Sequence, residues 1–160
     1  MKEFCTNNVT PLTDVALVSD ESSKIAHKEL YHFHEDSYRI VRDDLLETVT
    51  AFEGQISRLH ICSNWNGIVR LATWRSKASM GDVFFLLRNM GIGLEELLPF
   101  RDSDISDLFP WLYYGKRLDI LRKMCRAAKT NAERHMKNRD ARVHCHLSSG
   151  ETDRIVASSL

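Results

Sequence analysis

Apolar side chains recur at helical spacing along most of this 160-residue chain, and that period is the strongest constraint on what it can fold into. In SYRIVRDDLLETVTAF (residues 37–52), Tyr38, Val41, Leu45, Val49 and Phe52 fall on one helical face, widened by Ile40 and Leu46. Arg42, Asp43, Glu47 and Thr50 lie opposite. Upstream, residues 20–36 carry Ile25, Leu30 and Phe33 as a second apolar face, with Asp20 or Ser22 placed to cap the helix start. GQISRLHI offers a short helix through Ile56, Leu59 and Ile61; the loop CSNWNG follows, and IVRLATW continues as another helix. Ser79, with Asp82 three residues on, has the form of a capping box. Val83, Phe84, Leu86, Leu87 and Met90 give that helix its apolar face, and Gly91 stands where a left-handed helix end belongs. After LEELL and the turn DSDISDLFP, residues 111–137 read as the longest helix, striped by Leu118, Leu121, Met124, Cys125, Ala128 and Ala132. Only three prolines and seven glycines punctuate the chain, and clear apolar/polar alternation is missing.

Charge divides the chain. Formal net charge is zero, yet residues 1–115 hold 11 Lys/Arg against 17 Asp/Glu, and residues 116–142 hold 10 against 3. An acidic body therefore carries a basic arm. Lys116, Arg117, Arg122, Lys123, Arg126, Lys129, Arg134, Lys137, Arg139 and Arg142 make that arm, which suits phosphate contacts, docking on the acidic body, or plain solvation. Residues 139–160 have weak periodicity and a polar end, and read as a flexible tail. No apolar run reaches the about 18 residues of a membrane span, so none is expected. The amino end lacks the basic start and apolar stretch of a secretory signal. Cys5, Cys62, Cys125 and Cys145 are therefore expected as reduced thiols in the cytoplasm, with the nucleus as the other compartment.

Motifs of chemistry are few. His144-Cys145-His146, and His32 with His34, have the look of metal clips. Adjacent residues do not readily close around one tetrahedral zinc, however, and no second pair stands at finger spacing. They read as exposed histidines in a tail and near a helix end. Asp43, Asp44 and Glu47 cluster within little more than a helical turn but have no identified counterpart for acid/base work. DSDISD lacks the glycine and terminal glutamate of a calcium loop. No phosphate loop, nucleophile elbow or zinc-protease pair occurs.

The run LATWRSKASMGDVFFLLRNMGIGLEELLPF resembles the back half of a death domain, most closely those of Pelle and the interleukin-1-receptor-associated kinases. The carrying features are Leu71-Ala72-Thr73-Trp74 at a helix end, the Ser79-capped helix with Val83, Leu86 and Leu87 inward, and a short helix from Leu94 to Leu98. ISRLHI would be the third helix and YRIVRDDLL the second, although that second helix usually opens with Trp where Tyr38 stands here. The likeness spans residues 20–100. It implies a cytoplasmic assembly module that works through complementary charged patches and performs no chemistry.

These readings give an all-α fold: a death-domain-like bundle of about six short helices with an additional long C-terminal helix packed on it. Residues 1–19 would be an N-terminal extension, 20–109 the bundle, 110–138 the basic helix and 139–160 the tail. Val41, Leu45, Leu59, Leu71, Trp74, Val83, Leu86 and Leu87 are the expected core. The expected function is a non-enzymatic protein-interaction module or signalling adaptor. Its partner surface comprises Asp43, Asp44, Glu47, Trp65, Arg75 and Lys77, toward another death-fold domain or a second copy. Aromatics anchor such surfaces while charges steer encounter, although Trp65 also suits a core position. The alternative is a small helical nucleic-acid-binding protein using Arg122, Lys123, Arg126 and Lys129. No cofactor and no metal ligand are expected.

Overall fold

In the computed structural model, which describes residues 14–53, 56–138 and 140–160, a five-stranded sheet organises the chain. The all-α expectation is overturned: this is an α/β fold, and the helical bundle implied by the death-domain resemblance is not formed. The strands are β1 (Asp14–Val18), β2 (Tyr38–Ile40), β3 (Arg58–Ser63), β4 (Arg142–Ser149) and β5 (Arg154–Ser158). Their order is β2-β1-β3-β4-β5, parallel except for the final hairpin partner β5. The helices are α1 (Glu21–Tyr31), α2 (Leu45–Ala51), α3 (Trp65–Thr73), α4 (Met80–Asn89), α5 (Leu94–Leu97), α6 (Leu108–Tyr114) and α7 (Leu118–His135).

Each strand has a local reason. After Asp14, VALV is a continuous apolar run, as a strand buried on both faces requires, and β1 takes the second place in the sheet. Expected as part of the N-terminal extension, it is instead core; the first 13 residues of that extension lie outside the described residues. In β3 and β4 the alternation is genuine, with Leu59, Ile61, Val143, Cys145 and Leu147 at one parity and His60, Cys62, His144, His146 and Ser148 at the other. The helix expected over residues 56–61 is therefore a strand, and residues 139–160, expected as a tail, supply β4 and β5.

Two further helices are redrawn. Residues 38–52 imitate one amphipathic helix, yet Tyr38–Ile40 pair with β1 and only Leu45–Ala51 coil. The long helix over 111–137 breaks into α6 and α7 where Lys116 adopts φ 60° behind Gly115. A Cβ on Gly115 would lie 2.6 Å from the Trp111 carbonyl oxygen, so the tight exit from α6 requires glycine.

Other helices follow their sequence signals. Ser79 Oγ accepts from the Asp82 amide (3.1 Å), Asp82 returns the bond to Ser79 N (3.0 Å), and Gly91 (φ 108°) follows the helix end. The α7 stripe of Leu121, Met124, Cys125, Ala128 and Ala132 is fully buried, whereas Leu118 is exposed. Asn131 Nδ2 donates to the carbonyls of Leu71 (2.9 Å) and Ala72 (2.8 Å), satisfying the end of α3. Among the expected core residues, Val41, Leu45, Leu59, Leu71, Val83 and Leu87 are buried; Trp74 and Leu86 are only partly so.

The order β2-β1-β3 reverses direction after β2, so right-handed crossovers place α1 on one face and the later helices on the other. The core built by Leu17, Ile61, Ile68, Leu71, Leu121 and Leu147 lies on the later-helix side. The face under α1 is polar. Ser23, Ala26 and His27 are the buried residues of α1, and Ile25 and Leu30, expected inward, are exposed.

Gly67 closes the β3–α3 junction. A Cβ there would overlap Ser63 Oγ and approach Ser63 Cβ to 2.9 Å. Glycine-to-alanine within a helix usually stabilises by about 1 kcal/mol. Gly67→Ala is expected to do the reverse, losing about 1–3 kcal/mol to overpacking in urea denaturation. A gain in stability would show that this junction has room to spare.

Candidate ligand crevice at the strand ends

Open α/β sheets offer a crevice outside the carboxyl ends of the strands, where the winding direction switches. Here the switch lies between β1 and β3. A crevice of about 280 Å³ opens there, lined by Ser19, Asp20, Arg42, Asp43, Leu45, Asn64, Asn66, Gly67 and Arg70.

Its floor is tied together by two helix caps. Asp20 Oδ1 accepts from Ser23 N (2.7 Å) and starts α1; Asn64 Oδ1 accepts from Gly67 N (3.0 Å) and starts α3. The caps bind each other, with Asn64 Nδ2 donating to Asp20 Oδ2 (3.3 Å) and the Asn64 amide to Ser19 Oγ (3.3 Å). Both helix starts therefore lie beside one spot, where the Asp20 carboxylate offsets the partial positive charge of α1 and the start of α3 is capped by a neutral amide. Val41 N donates to Val18 O (2.7 Å), which sets Arg42 over the strand ends, and Arg70 reaches in from the second turn of α3. Neither guanidinium has a carboxylate within ion-pair distance among the described residues, although Asp43 also lines the crevice.

A second hollow of about 480 Å³ shares Asn64 and Asn66 and lies on the β4 side. Trp65, Phe109, Pro110 and Tyr114 give it a flat apolar wall, and Ser148, Ser149 and Gly150 a polar one. A crevice lined by two arginines and two aspartates thus adjoins an aromatic hollow.

The sequence-expected partner residues separate into four places. Asp43 lines the crevice, and Asp44 is an exposed residue before α2. Glu47, Arg75 and Lys77 meet in a different groove, about 740 Å³, with Trp74 and Lys137. Trp65 is not an exposed anchor: it is 4% exposed and its Nε1 donates to Ile105 O (2.9 Å). On α7, Arg122, Lys123 and Arg126 face outward, with Lys123 Nζ donating to Met90 O (3.1 Å). Lys129 is half-buried and pairs with Glu133 (2.6 Å).

The histidines also part company. His32 and His34 are exposed, as expected. His146 is fully buried and His144 half-buried, contrary to their reading as tail residues. Beneath α1, His27 Nε2 lies 2.9 Å from His60 Nδ1, which lies 3.0 Å from His146 Nε2.

Sequence reasoning missed Arg70, Asn64 and the His27–His60–His146 group. The available signals were short polar stretches closing apolar runs (VALV-SD, HICS-NWNG) and histidines two apart within RVHCHLSS. The topology defines the class: an open, doubly wound α/β domain with a crevice at its strand ends. Beyond that class, no family model, curated protein or solved structure matches this chain.

Proposed function

We propose that this chain is a non-enzymatic binding module whose crevice takes a small ligand with an anionic group on a flat apolar body, of nucleotide type. The observation that carries this is the convergence of Arg42 and Arg70, without ion-pair partners among the described residues, on the two capped helix starts at the switch point. Guanidinium forks match phosphate and carboxylate oxygens. The neighbouring aromatic hollow would receive the planar part.

Thermal unfolding with a panel of nucleotides, sugar phosphates and inorganic phosphate tests the reading. A ligand at about 100 times its Kd adds about 2.7 kcal/mol, which raises Tm by roughly 5–10 °C in a domain of this size. Arg42→Ala and Arg70→Ala should each reduce that affinity by at least about tenfold, the loss of one charge-assisted bond. A panel without effect, or a shift that survives both substitutions, overturns the proposal.

A second reading keeps the expected protein partner, and one observation favours it: Glu47, Arg75 and Lys77 share a groove whose apolar wall includes Leu46 and Trp74. A self-association equilibrium seen by sedimentation, weakened by Arg75→Glu with Lys77→Glu and unmoved by Arg70→Ala, would select it. Binding to duplex DNA that falls steeply with salt and vanishes on neutralising Arg122, Lys123 and Arg126 would point to α7 instead. A cytoplasmic setting belongs to the same proposal. Among the described residues, no helix is long and apolar enough to cross a membrane.

A further inference from the structure

Three imidazoles from distant parts of the chain meet beneath α1. His27 comes from α1, His60 from β3 and His146 from β4, and all are at most 1% exposed. His27 Nε2, His60 Nδ1 and His146 Nε2 all lie within 4.8 Å of one another. Each outer ring has an oxygen on its far nitrogen: Tyr38 OH is 2.8 Å from His27 Nδ1, and Ser158 Oγ is 2.7 Å from His146 Nδ1. Tyr31 spreads its ring 4.7–5.0 Å from all three imidazole centroids, and Phe33 stands 4.9 and 5.0 Å from His27 and His60.

Hydrogen bonding alone serves this arrangement poorly. His60 Nδ1 is common to both nitrogen–nitrogen contacts, and each contact needs one proton. If Nδ1 carries the proton, it can serve only one neighbour. If it is bare, one lone pair must accept from both His27 and His146, and the His60 proton sits on Nε2. That atom is buried and has no partner; it carries the same proton when a metal takes Nδ1, so the crowding at Nδ1, not the orphaned Nε2, is the reason to seek a cation. Tyr38 and Ser158 must then donate their hydroxyl protons to the two far nitrogens.

A cation resolves the crowding at the centre. We propose that His27 Nε2, His60 Nδ1 and His146 Nε2 form a three-imidazole site for a divalent transition-metal ion, with zinc the best fit. The far nitrogens of His27 and His146 then carry the protons and donate to Tyr38 OH and Ser158 Oγ, the outer-shell pattern that fixes tautomer and ring orientation at metal sites. Zinc–nitrogen bonds of about 2.0–2.1 Å place tetrahedral ligand atoms about 3.3 Å apart, so the contacts of 2.9 and 3.0 Å open by about 0.3 Å, and His27 and His146, whose ligand atoms lie within 4.8 Å of each other, close to the same spacing as the ion binds. A tetrahedral shell leaves one position for a water or hydroxide. Imidazole nitrogen is a borderline donor that suits zinc, copper, nickel or cobalt and not calcium or magnesium. Burial makes the role structural: the ion would clip α1, β3 and β4 together.

Burial pushes His27 down to about 4. Burial, with the neighbouring histidines adding to it, pushes His60 to about 3 and His146 to about 2. The other titratable groups packed round them are Tyr31, Tyr38, Cys62 and His144, with Arg58 and Asp14 at the start of the paired strands.

The test uses the full chain without an affinity tag, stripped with chelator and titrated with Co²⁺ and then Zn²⁺. Expected are one equivalent per chain, the visible absorption of tetrahedral cobalt, and ¹⁵N imidazole shifts placing the protons on Nδ1 of His27 and His146. His60→Gln should weaken affinity at least a hundredfold. Should that variant fail to fold, Tyr38→Phe and Ser158→Ala keep every ligand and should each weaken it ten- to a hundredfold. The exposed pair His32→Gln with His34→Gln should change nothing. Failure of the folded wild type to bind either metal overturns the site, as does affinity unchanged in folded His60→Gln or in both Tyr38→Phe and Ser158→Ala.

Discussion

Taken from pH 7 to pH 5 without added metal, the protein is expected to lose most of its folding stability. His27, His60 and His146 have pKa values lowered to about 4, 3 and 2 in the folded state, chiefly by burial, against about 6.5 in an unfolded chain. The unfolded state therefore binds more protons throughout the interval between 6.5 and 4, and stability falls as pH falls through it. The stabilising contribution is complete above about 6.5 and declines from there downward. Each histidine contributes a slope of up to about 1.4 kcal/mol per pH unit, so the three together approach about 4 near pH 5. A domain of this size has about 5–15 kcal/mol in all. Carboxylate effects occupy a different window: hydrogen bonds from Lys24 and then Lys28 hold exposed Glu35 down at about 2, so that pair acts only below the ordinary glutamate range. Urea denaturation at pH 7, 6 and 5 separates the causes. A midpoint that stays flat across this range would mean the histidines are not buried as neutral rings.

The same histidines show why half the fold was hidden in the sequence. β3 and β4 do alternate, most plainly in VHCHLS, but the residues facing α1 are His60, Cys62, His144, His146 and Ser148, and histidine and serine at those positions read as solvent-facing, so the two strands passed for a helix and a tail. Polarity on that face also explains α1. Its cap at Asp20 was legible, yet its inward residues are Ser23, Ala26 and His27, and the apolar Ile25 and Leu30 misdirected the facing. Residues 38–52 mislead in another way. Tyr38, Val41, Leu45, Val49 and Phe52 keep helical spacing by coincidence, because a three-residue strand and a seven-residue helix are joined by a short turn. Features set within a few residues were readable, such as the Ser79–Asp82 box, the Gly91 exit and the α7 stripe. The crevice and the histidine site depend on strand order, and that is decided by contacts 44 to 86 residues apart in sequence.

Ending the chain at Asn138 should abolish cooperative folding. Read as a tail, residues 139–160 would be dispensable, and their removal would move stability by no more than about 0.5 kcal/mol. In the structure they supply β4, which lies between β3 and β5 and runs in register with β3 from Arg142 to Leu147. Val143, Cys145 and Leu147 are fully buried and Ala157 nearly so. Burying one Val or Leu side chain contributes about 1.5–3 kcal/mol, and the truncated chain would also bare the β3 edge and the inner side of α7. Glu133 would lose the Val143 amide (3.0 Å), and the histidine group would lose His146. The sum exceeds the few kcal/mol by which such domains are stable. The 1–138 chain should therefore show no cooperative thermal transition and no near-ultraviolet signal from its three tryptophans. Removing only Leu160, which is 65% exposed, should leave both intact. Cooperative unfolding retained by the 1–138 chain would eliminate the five-stranded sheet, and with it the crevice between β1 and β3.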